Sequence, residues 1–518
     1  MQFGQRVFTV AILLLIAIST SAQMIDNTQA SSTAKAGINK SLADEIGAGR
    51  GNVNTPGSSM CIISHDPFRS IRRGRQLFQR KFTRGQGQGP NEGDGVGDIN
   101  TNLALGAGLA DSCALCHGRP RGSAGVGGNV VTRPDSRDAP HLFGLGLREI
   151  LGDEMTTDLR NIRTLAITRA QQVRHPVTLK LVSKGISYGS ITGRPDGSVD
   201  TSKVSGVDLD LRVKPFFAEG SEFSIRRFIV GALHNEMGLE ASSDPDIVAA
   251  SSGARVVTPS GMVLNGAQDK ISPPPPAPDG QNGNEIDPAI VDHLEFYLLN
   301  YFKPAHSQQN TATTWGRFVF AKIGCASCHV AKLVVSRDRR VADVETAYDP
   351  TNGVFNSLFA TAVPLYVTKD DGSGQLLKLP AGNPFRVNDI FTDFKRHDVG
   401  PKFYERNWDG TLQTMFMTRP LWGVGSTAPY GHDGRSMTLD DVILRHGGES
   451  QKSRDAYAAL PKWQSDALQA FLNSLVLFPP DDTASNLDPA DPTSNNFPQV
   501  GHGSIKLTLL FNDPTDPE

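Results

Sequence analysis

Two stretches of the chain, Cys113-Ala114-Leu115-Cys116-His117 and Cys325-Ala326-Ser327-Cys328-His329, share the pattern Cys-x-x-Cys-His. In c-type attachment sites the two cysteines form thioethers with a haem, and the histidine is an axial ligand of the iron. The two stretches use four of the 5 cysteines, which argues against coincidence. The pattern therefore predicts two covalently bound c-type haems, with His117 and His329 as iron ligands. The alternative is a pair of zinc-binding or redox-active dithiols.

The N-terminus has the features of a secretory signal peptide. Arg6 is the only charged residue in positions 1–22, and an apolar run over 7–18 is followed by Thr20-Ser21-Ala22. This predicts cleavage after Ala22. The alternative is an uncleaved anchor, although the run is shorter than the roughly 20 apolar residues that span a membrane. We expect a periplasmic or secreted bacterial protein that is not an integral membrane protein after cleavage.

The composition is that of a globular, loop-rich protein without a basic excess. The 518 residues carry a net charge of −3, and 20% of them are charged. We expect no nucleic-acid partner, because nucleic-acid-binding domains carry a basic patch or stripe. The predicted segments are a signal peptide over 1–22, a flexible arm over 23–57, an N-terminal haem domain over 58–300, a C-terminal haem domain over 301–480 and a polar tail over 481–518.

A unit consisting of a helix followed by Cys-x-x-Cys-His occurs twice. Gly74-Arg75-Gln76-Leu77-Phe78 precedes the first site, and the similar Gly316-Arg317-Phe318-Val319-Phe320 precedes the second. Apolar residues at helical spacing predict further helices. The segments with this spacing are 142–170, 224–239, 289–301 and 464–477. Short strands are predicted over 345–385, and one more over 505–511. The predicted fold is mainly α, with two cytochrome c-like haem domains, long loops and a few short strands.

Three other features have less specific readings. The oxygen-rich stretch 94–100 could bind Ca²⁺, but it lacks a closing Glu, so a surface turn is favoured. Cys61 has no predicted partner, and a buried or incidental thiol is favoured over a catalytic one. Arg119 and Arg121 either bind haem propionates or are simply exposed.

Longer motifs carry a resemblance to a known family. The C-terminal half contains Pro420-Leu421-Trp422-Gly423, His432-Asp433-Gly434-Arg435, Thr438-Leu439-Asp440-Asp441 and His446-Gly447-Gly448-Glu449. The N-terminal half contains a matching Ala139-Pro140-His141-Leu142-Phe143-Gly144. Over residues 65–480 the chain resembles the di-haem oxidoreductase branch of the bacterial di-haem cytochrome c peroxidase superfamily.

The resemblance implies the axial ligands of the second haem. In the peroxidases a Met shortly after the Thr-Leu helix start ligates this iron, and His446 occupies the matching position here. The implied ligands are thus His329 and His446, a pair that gives a lower potential than His/Met ligation. The alternative is that His446 is a surface residue and that Met437 or another histidine is the ligand.

The resemblance also implies a reactive first haem. The peroxidases carry a distal His in the loop after the first site, whereas residues 118–131 contain none. The iron of His117 is therefore expected to be five-coordinate or loosely ligated. Rubber oxygenases, which look like distant relatives, combine an open first haem with a bis-histidine second haem.

The catalytic Gln and Glu of the peroxidases are not recognisable in this chain. Peroxide cleavage needs a base that moves a proton between the oxygens. Glu149, Glu154 and His141 are candidates for this role, although each has a structural alternative. His141 is also the best candidate for a sixth ligand of the first iron. Trp422 either relays electrons between the haems or packs in the core.

The function implied is a haem-dependent oxidoreductase, with peroxide reduction at the first haem and electron storage at the second. The expected partners are peroxide or O₂ and a small periplasmic electron donor, either a cytochrome c or a copper protein. Two alternatives remain. One is an oxidase or oxygenase that acts on an organic or protein substrate, and the other is a non-enzymatic electron-transfer cytochrome with both irons six-coordinate.

Overall fold

Helices form most of the regular structure in the computed structural model, and small antiparallel sheets form the remainder. The described residues are 41–89, 108–118, 124–127, 129–130, 135, 137–274, 285–301, 309–343, 363–372, 374, 376–407 and 409–477. The α-helices in these ranges are α1 (Leu42–Ile46), α2 (Ser59–His65), α3 (Pro67–Gln79), α4 (Cys113–His117), α5 (Leu145–Val173), α6 (Ile225–Met237), α7 (Pro245–Ser251), α8 (Gly266–Asp269), α9 (Pro288–Leu299), α10 (Thr311–Lys322), α11 (Leu439–Arg445), α12 (Gln451–Ala458) and α13 (Lys462–Asn473).

The strands pair mostly as two-stranded ribbons between the helices. One three-stranded sheet has the order β3 (Val177–Ser183), β4 (Ile186–Gly193), β5 (Val199–Asp200). The antiparallel pairs are β1 (Asn129–Val130) with β2 (Arg137–Asp138), β6 (Arg255–Val257) with β7 (Val263–Asn265), β8 (Lys332–Val335) with β13 (Phe385–Asn388), β9 (Ala342–Asp343) with β10 (Val363–Pro364), β11 (Tyr366–Asp370) with β12 (Leu376–Pro380), β14 (Arg396–Asp398) with β17 (Met415–Met417), and β15 (Glu405–Arg406) with β16 (Leu412–Gln413).

The helix starts follow ordinary capping chemistry. The carboxylate of Asp66 accepts a hydrogen bond from the backbone of Arg69, and Pro67 occupies the first turn of α3. Asp287 and Pro288 begin α9 in the same way. These caps satisfy amide groups that a helix leaves without internal partners, and proline costs little in the first turn. Local sequence therefore sets the starts of α3 and α9.

Two glycines mark corresponding close crossings of helices. Gly74 of α3 faces α9 so closely that an added Cβ would lie 2.2 Å from the carbonyl oxygen of His293. Gly316 of α10 faces α13 in the same way, and a Cβ there would lie 1.9 Å from the carbonyl oxygen of Ala467. Only glycine permits backbones to approach so closely. The similar segments around Gly74 and Gly316 thus build similar helix pairs.

Two main apolar clusters accompany these helix pairs, and the long helix α5 belongs to the first. The largest apolar cluster contains Leu77 of α3, Leu147 of α5, Tyr297 of α9 and Trp422. A second cluster, which includes Phe320 and Phe471, lies between α10 and α13. Burial of these side chains contributes on the order of 2 kcal/mol each. The second cluster lies directly against the second Cys-x-x-Cys-His turn, because Cys325 packs on it.

Most predicted helices are present. The segments 142–170, 224–239, 289–301 and 464–477 correspond to α5, α6, α9 and α13, each with somewhat different ends. The mainly helical class is confirmed, while the assignment of two haem domains and their boundaries stays a prediction. Of the predicted strand region, residues 345–362 lie outside the described part, and the remainder forms β10, β11 and β12. The predicted strand over 505–511 also lies outside it.

Two features differ from the expectation. The sheet β3–β5 was not predicted from the sequence, although Val177–Ser183 alternates in burial. The segment predicted as a flexible arm over 23–57 contains the helix α1. Glu45 of α1 is buried and accepts a hydrogen bond from Arg80 at 3.0 Å, which holds this helix against the rest of the protein.

None of the described helices combines the length and hydrophobicity needed to cross a membrane.

Candidate functional site

The second Cys-x-x-Cys-His turn orients its histidine for metal binding. It follows α10 through Gly324, whose φ of 97° is in the left-handed region. The Nδ1 atom of His329 lies 3.0 Å from the carbonyl oxygen of Phe391. Burial lowers the pKa of His329 to about 4, so the ring is neutral near pH 7. A neutral imidazole whose Nδ1–H donates to a carbonyl presents the Nε2 lone pair to a metal.

His446 has the same arrangement on a different element. It follows the last residue of α11, and its Nδ1 atom lies 2.7 Å from the carbonyl oxygen of Val442. Its ring stands edge-on to Phe403, with 5.2 Å between the centroids. Burial lowers the pKa of His446 as well, so this ring is also a neutral Nε2 donor. Arg445, one residue earlier, is held by an ion pair with Asp433.

His329 and His446 line one cavity together with Cys325 and Cys328. The cavity has a volume of about 330 Å³. Its apolar wall includes Phe320, Phe403, Phe416, Leu421, Leu439 and Leu472. Two thiols, two imidazole Nε2 atoms and an apolar wall are the donor set and the surroundings that a covalently attached haem requires. The residues therefore fit the group.

A histidine held between two carboxylates links the walls of this cavity. The ring of His397 lies between Asp393 (Nε2–Oδ2, 3.0 Å) and Glu449 (Nδ1–Oε2, 2.7 Å). Burial opposes the charge, but the hydrogen bonds to Asp393 and Glu449 raise the pKa of His397 to about 11. The bridge connects the loop that holds His329 with the loop that follows His446. Composition and spacing did not indicate it, although Glu449 ends a recognised motif.

Cys328, Asp393 and His397 could also hold a metal ion. Their ligand atoms all lie within 4.8 Å of one another, and within the described ranges no other cluster of three such residues does so. A zinc site would usually have a fourth ligand. Cys328 also belongs to the attachment motif, where it would be a thioether, so the haem interpretation accounts for more of the surrounding residues.

The first Cys-x-x-Cys-His turn is the short helix α4. The Nδ1 atom of His117 lies 2.8 Å from the carbonyl oxygen of Pro140. Burial lowers the pKa of His117 to about 4. The turn is packed against residues 124–127, because a Cβ at Gly127 would lie 1.4 Å from the carbonyl oxygen of Cys116. His117 is therefore a neutral Nε2 donor like His329.

His141 uses one ring nitrogen in a hydrogen bond, while its Nδ1 atom is buried without a partner among the described residues. The Nδ1 side of His117 faces Pro140, while a metal would lie on the opposite, Nε2 side. The Nε2 atom of His141 instead lies 3.1 Å from the carbonyl oxygen of Trp422, and His141 lines the second cavity. This geometry favours a structural position between the two sites over distal ligation.

Trp422 is at the contact between the two motif segments. It is buried, and its ring packs on Gly144, where an added Cβ would lie 2.6 Å from the indole. Its Nε1 atom is buried without a hydrogen-bond partner among the described residues. Trp422 also lines the second cavity. It therefore serves core packing and borders the site at the same time.

The candidate acids Glu149 and Glu154 connect α5 to the chain after β8. Glu149 is fully buried, accepts a hydrogen bond from the amide of Ile225 at 2.7 Å and pairs with Arg339. Burial raises the pKa of Glu149, against the effect of Arg339. Glu154 accepts hydrogen bonds from Lys184 at 2.6 Å and from the amide of Arg337 at 2.8 Å. These contacts favour structural roles for both carboxylates.

The remaining predicted features are placed as follows. Cys61 is a buried thiol 3.6 Å from the Nδ1 atom of His65, and burial raises its pKa. Met437 is exposed, which is unfavourable for an iron ligand. Residues 94–100, Arg119 and Arg121 lie outside the described part of the chain.

The residues of the cavity and of the two Cys-x-x-Cys-His turns are those expected of a haem-binding protein. Residues 331–475 match the model of the family described as "Di-haem oxidoreductase, putative peroxidase". The match confirms the resemblance seen in the sequence over these residues. It includes both His397 and His446, but neither of the two Cys-x-x-Cys-His turns.

Two solved structures are similar in part. One is the hydrazine synthase of Kuenenia stuttgartiensis, with 16% identity over 37% of this chain and 56% of that chain and a TM-score of 0.22. The other is a MauG-like protein associated with microbial copper homeostasis, with 14% identity over 55% of this chain and 77% of that chain and a TM-score of 0.23. The chain thus spans little more than half the length of the hydrazine synthase chain. No curated protein matches it.

Proposed function

We propose that this protein is a periplasmic di-haem peroxidase with covalently attached c-type haems. It reduces hydrogen peroxide to two molecules of water, consuming two electrons and two protons. The electrons come from a small redox protein, either a cytochrome c or a copper protein. The signal peptide predicted over residues 1–22 exports the chain to the compartment where covalent haem attachment and such donors occur.

The observation that carries this proposal is the difference between the two histidine sites. His446 faces the same cavity as His329, with the Nδ1 atoms of both rings held by carbonyl oxygens. His117 has no such companion within residues 118–131, which contain neither His nor Met. His141 is directed to Trp422 instead. A strong sixth ligand suits electron storage, whereas an open position permits peroxide to bind.

The chain's own residues have separate roles in this proposal. His329 and His446 would both hold the second haem, and His117 would hold the first. Bound haem would supply iron for peroxide binding at the first site and for electron storage at the second. Pro140 orients His117 through its carbonyl oxygen, and a hydrogen bond between His141 and the carbonyl oxygen of Trp422 connects the segments that carry the two sites.

The test is spectroscopy of the purified holoprotein followed by peroxide titration. We expect a resting EPR spectrum with one low-spin and one high-spin ferric signal. We also expect peroxide consumption only in the presence of a reduced small cytochrome or copper protein, with two donor molecules oxidised per peroxide. Two six-coordinate low-spin irons that neither peroxide nor reduction opens would instead establish an electron-transfer cytochrome. Oxygen uptake with an organic or protein substrate, without donor-coupled peroxide reduction, would establish the oxidase or oxygenase.

A further inference from the structure

The cavity that contains His329 and His446 has a cationic wall. Arg148 of α5 and Arg419, one residue before Pro420, both line it. Burial and the charge of Arg419 lower the pKa of Arg148 to about 9. Burial and the charge of Arg137 lower the pKa of Arg419 to about 10. Both guanidinium groups remain charged at neutral pH, so together they bring two positive charges to the cavity, whose lining also includes the acids Asp138 and Glu449.

The described residues do not provide these arginines with an acidic partner. Arg148 donates a hydrogen bond to the carbonyl oxygen of Pro215 and packs over Phe216, while its Nε atom has no partner. Arg419 has neither a hydrogen bond nor an ion pair within the described ranges. Glu219, whose charge raises the pKa of Arg419, is engaged by Arg137 at 2.8 Å. Each arginine thus has donor capacity directed at the cavity.

Two other buried arginines among the described residues pair with carboxylates. Arg226 is fully buried and pairs with Asp244, Asp292 and Glu295 at distances of 2.6 to 3.0 Å. Arg212 pairs with Asp153. A buried charge without a partner is costly. Arg148 and Arg419 therefore require an acceptor that the described residues do not supply. The indole N–H of Trp422, also unpartnered, adds a third donor to the same wall.

We propose that Arg148, Arg419 and the indole N–H of Trp422 form a carboxylate-binding pocket for the propionates of the haem in this cavity. Guanidinium groups bind carboxylates through two parallel hydrogen bonds, and the propionates are the charged groups that haem carries. Arg148 comes from the N-terminal half of the chain and Arg419 from the C-terminal half. The inference requires haem in this cavity, but not the peroxidase reaction.

The test measures the reduction potential of the second haem in the holoprotein by spectroelectrochemistry. Removing a positive charge near the iron disfavours the reduced state, so Arg419→Gln should lower the midpoint potential and Arg148→Gln/Arg419→Gln should lower it further. Arg419→Lys keeps the charge and should remain closer to the wild type. Both effects should come with a stronger dependence of the potential on pH, because an unpaired propionate takes up protons more readily.

Arg212→Gln is the matched control. Arg212 is also buried and packs over an aromatic ring, Phe223, but it does not line the cavity. Its replacement should reduce thermal stability and leave the midpoint potential unchanged. If Arg148→Gln does not fold, the comparison of Arg419→Gln with Arg419→Lys still decides the question.

Two results would overturn the proposal. One is a midpoint potential that is the same in wild type, Arg419→Gln and the double variant. The other is a shift of the wild-type potential on addition of acetate that the arginine variants abolish, which would mean that the pocket takes a diffusible anion. Because peroxide turnover is not a readout here, failure of the peroxidase proposal would leave this measurement valid.

Discussion

The Nδ1 atom of His117 lies 2.8 Å from the carbonyl oxygen of Pro140, and the next residue, His141, turns its own ring to Trp422. The first contact fixes the tautomer of His117, with Nδ1 protonated and Nε2 free for iron. It also places the carbonyl oxygen of Pro140 at the Nδ1 edge of the ring, opposite the Nε2 atom that would bind iron. One hydrogen bond therefore orients His117, and a separate one engages the neighbouring His141.

Replacing His141 should leave the coordination of the first iron unchanged. In His141→Gln the side chain can still donate to the carbonyl oxygen of Trp422, so the segment should keep its position. We expect the same high-spin EPR and resonance Raman signals as in the wild type. A new high-spin species, or loss of a low-spin species assigned to the first haem, would show that His141 is an iron ligand after all.

The number of covalently bound haems can be measured in variants that lack the cysteines of one motif. Cys113→Ser/Cys116→Ser and Cys325→Ser/Cys328→Ser should each reduce the number of covalent haems from two to one, because thioethers form only at these thiols. Cys61→Ser is the matched control and should retain both haems. The measurement is pyridine haemochrome absorbance per protein, together with haem staining after denaturing electrophoresis. Retention of both haems in either double variant contradicts the attachment assignment.

Exchanging the second axial ligand should change the potential in a known direction. In His446→Met a thioether replaces an imidazole, which favours ferrous iron, so the midpoint potential of the second haem should rise. His446→Ala should convert this haem to a high-spin form. Met437→Leu is the control and should change neither property, since Met437 is exposed. An unchanged low-spin spectrum in His446→Ala would exclude His446 as the ligand.

Glu149 should matter for stability more than for proton transfer. Glu149→Gln leaves Arg339 without its ion-pair partner in a buried position, which typically costs about 3 kcal/mol of unfolding free energy. Urea denaturation monitored by circular dichroism measures this loss. In the exposed pair Lys462 and Asp466, Asp466→Asn should cost about 0.5 kcal/mol or less. Loss of peroxide turnover with unchanged stability in Glu149→Gln would instead indicate an acid–base role.

Glu295 should make stability depend on pH. Burial raises the pKa of Glu295 to about 7, against the effect of Arg226, from an ordinary value of 4.5. A carboxyl group with a raised pKa in the folded state contributes stability below its unfolded pKa, and this contribution is lost as the pH rises towards 7. Relative to Glu295→Gln, the wild type should therefore lose about 1 to 3 kcal/mol between pH 4.5 and 7. Parallel pH profiles of the two proteins would contradict the shift.

The sequence by itself determined those features that depend on neighbouring residues. Helical spacing located α5, α6, α9 and α13, while haem attachment at the two Cys-x-x-Cys-His turns stays a prediction. The resemblance identified His446 from its place in a motif, and residues 331–475 match the same family. These features are readable because covalent attachment, capping and helical periodicity each involve residues a few positions apart.

Only the tertiary structure decided what each side chain faces. Glu149 forms an ion pair with Arg339, although the two residues are far apart in the sequence. His141 is much nearer to His117 in the sequence, yet it forms its hydrogen bond with the carbonyl oxygen of Trp422. The cationic wall of Arg148 and Arg419 joins residues from both halves of the chain. Burial and long-range packing set these contacts, because the free energy of a buried charge depends on whichever distant group the fold brings beside it.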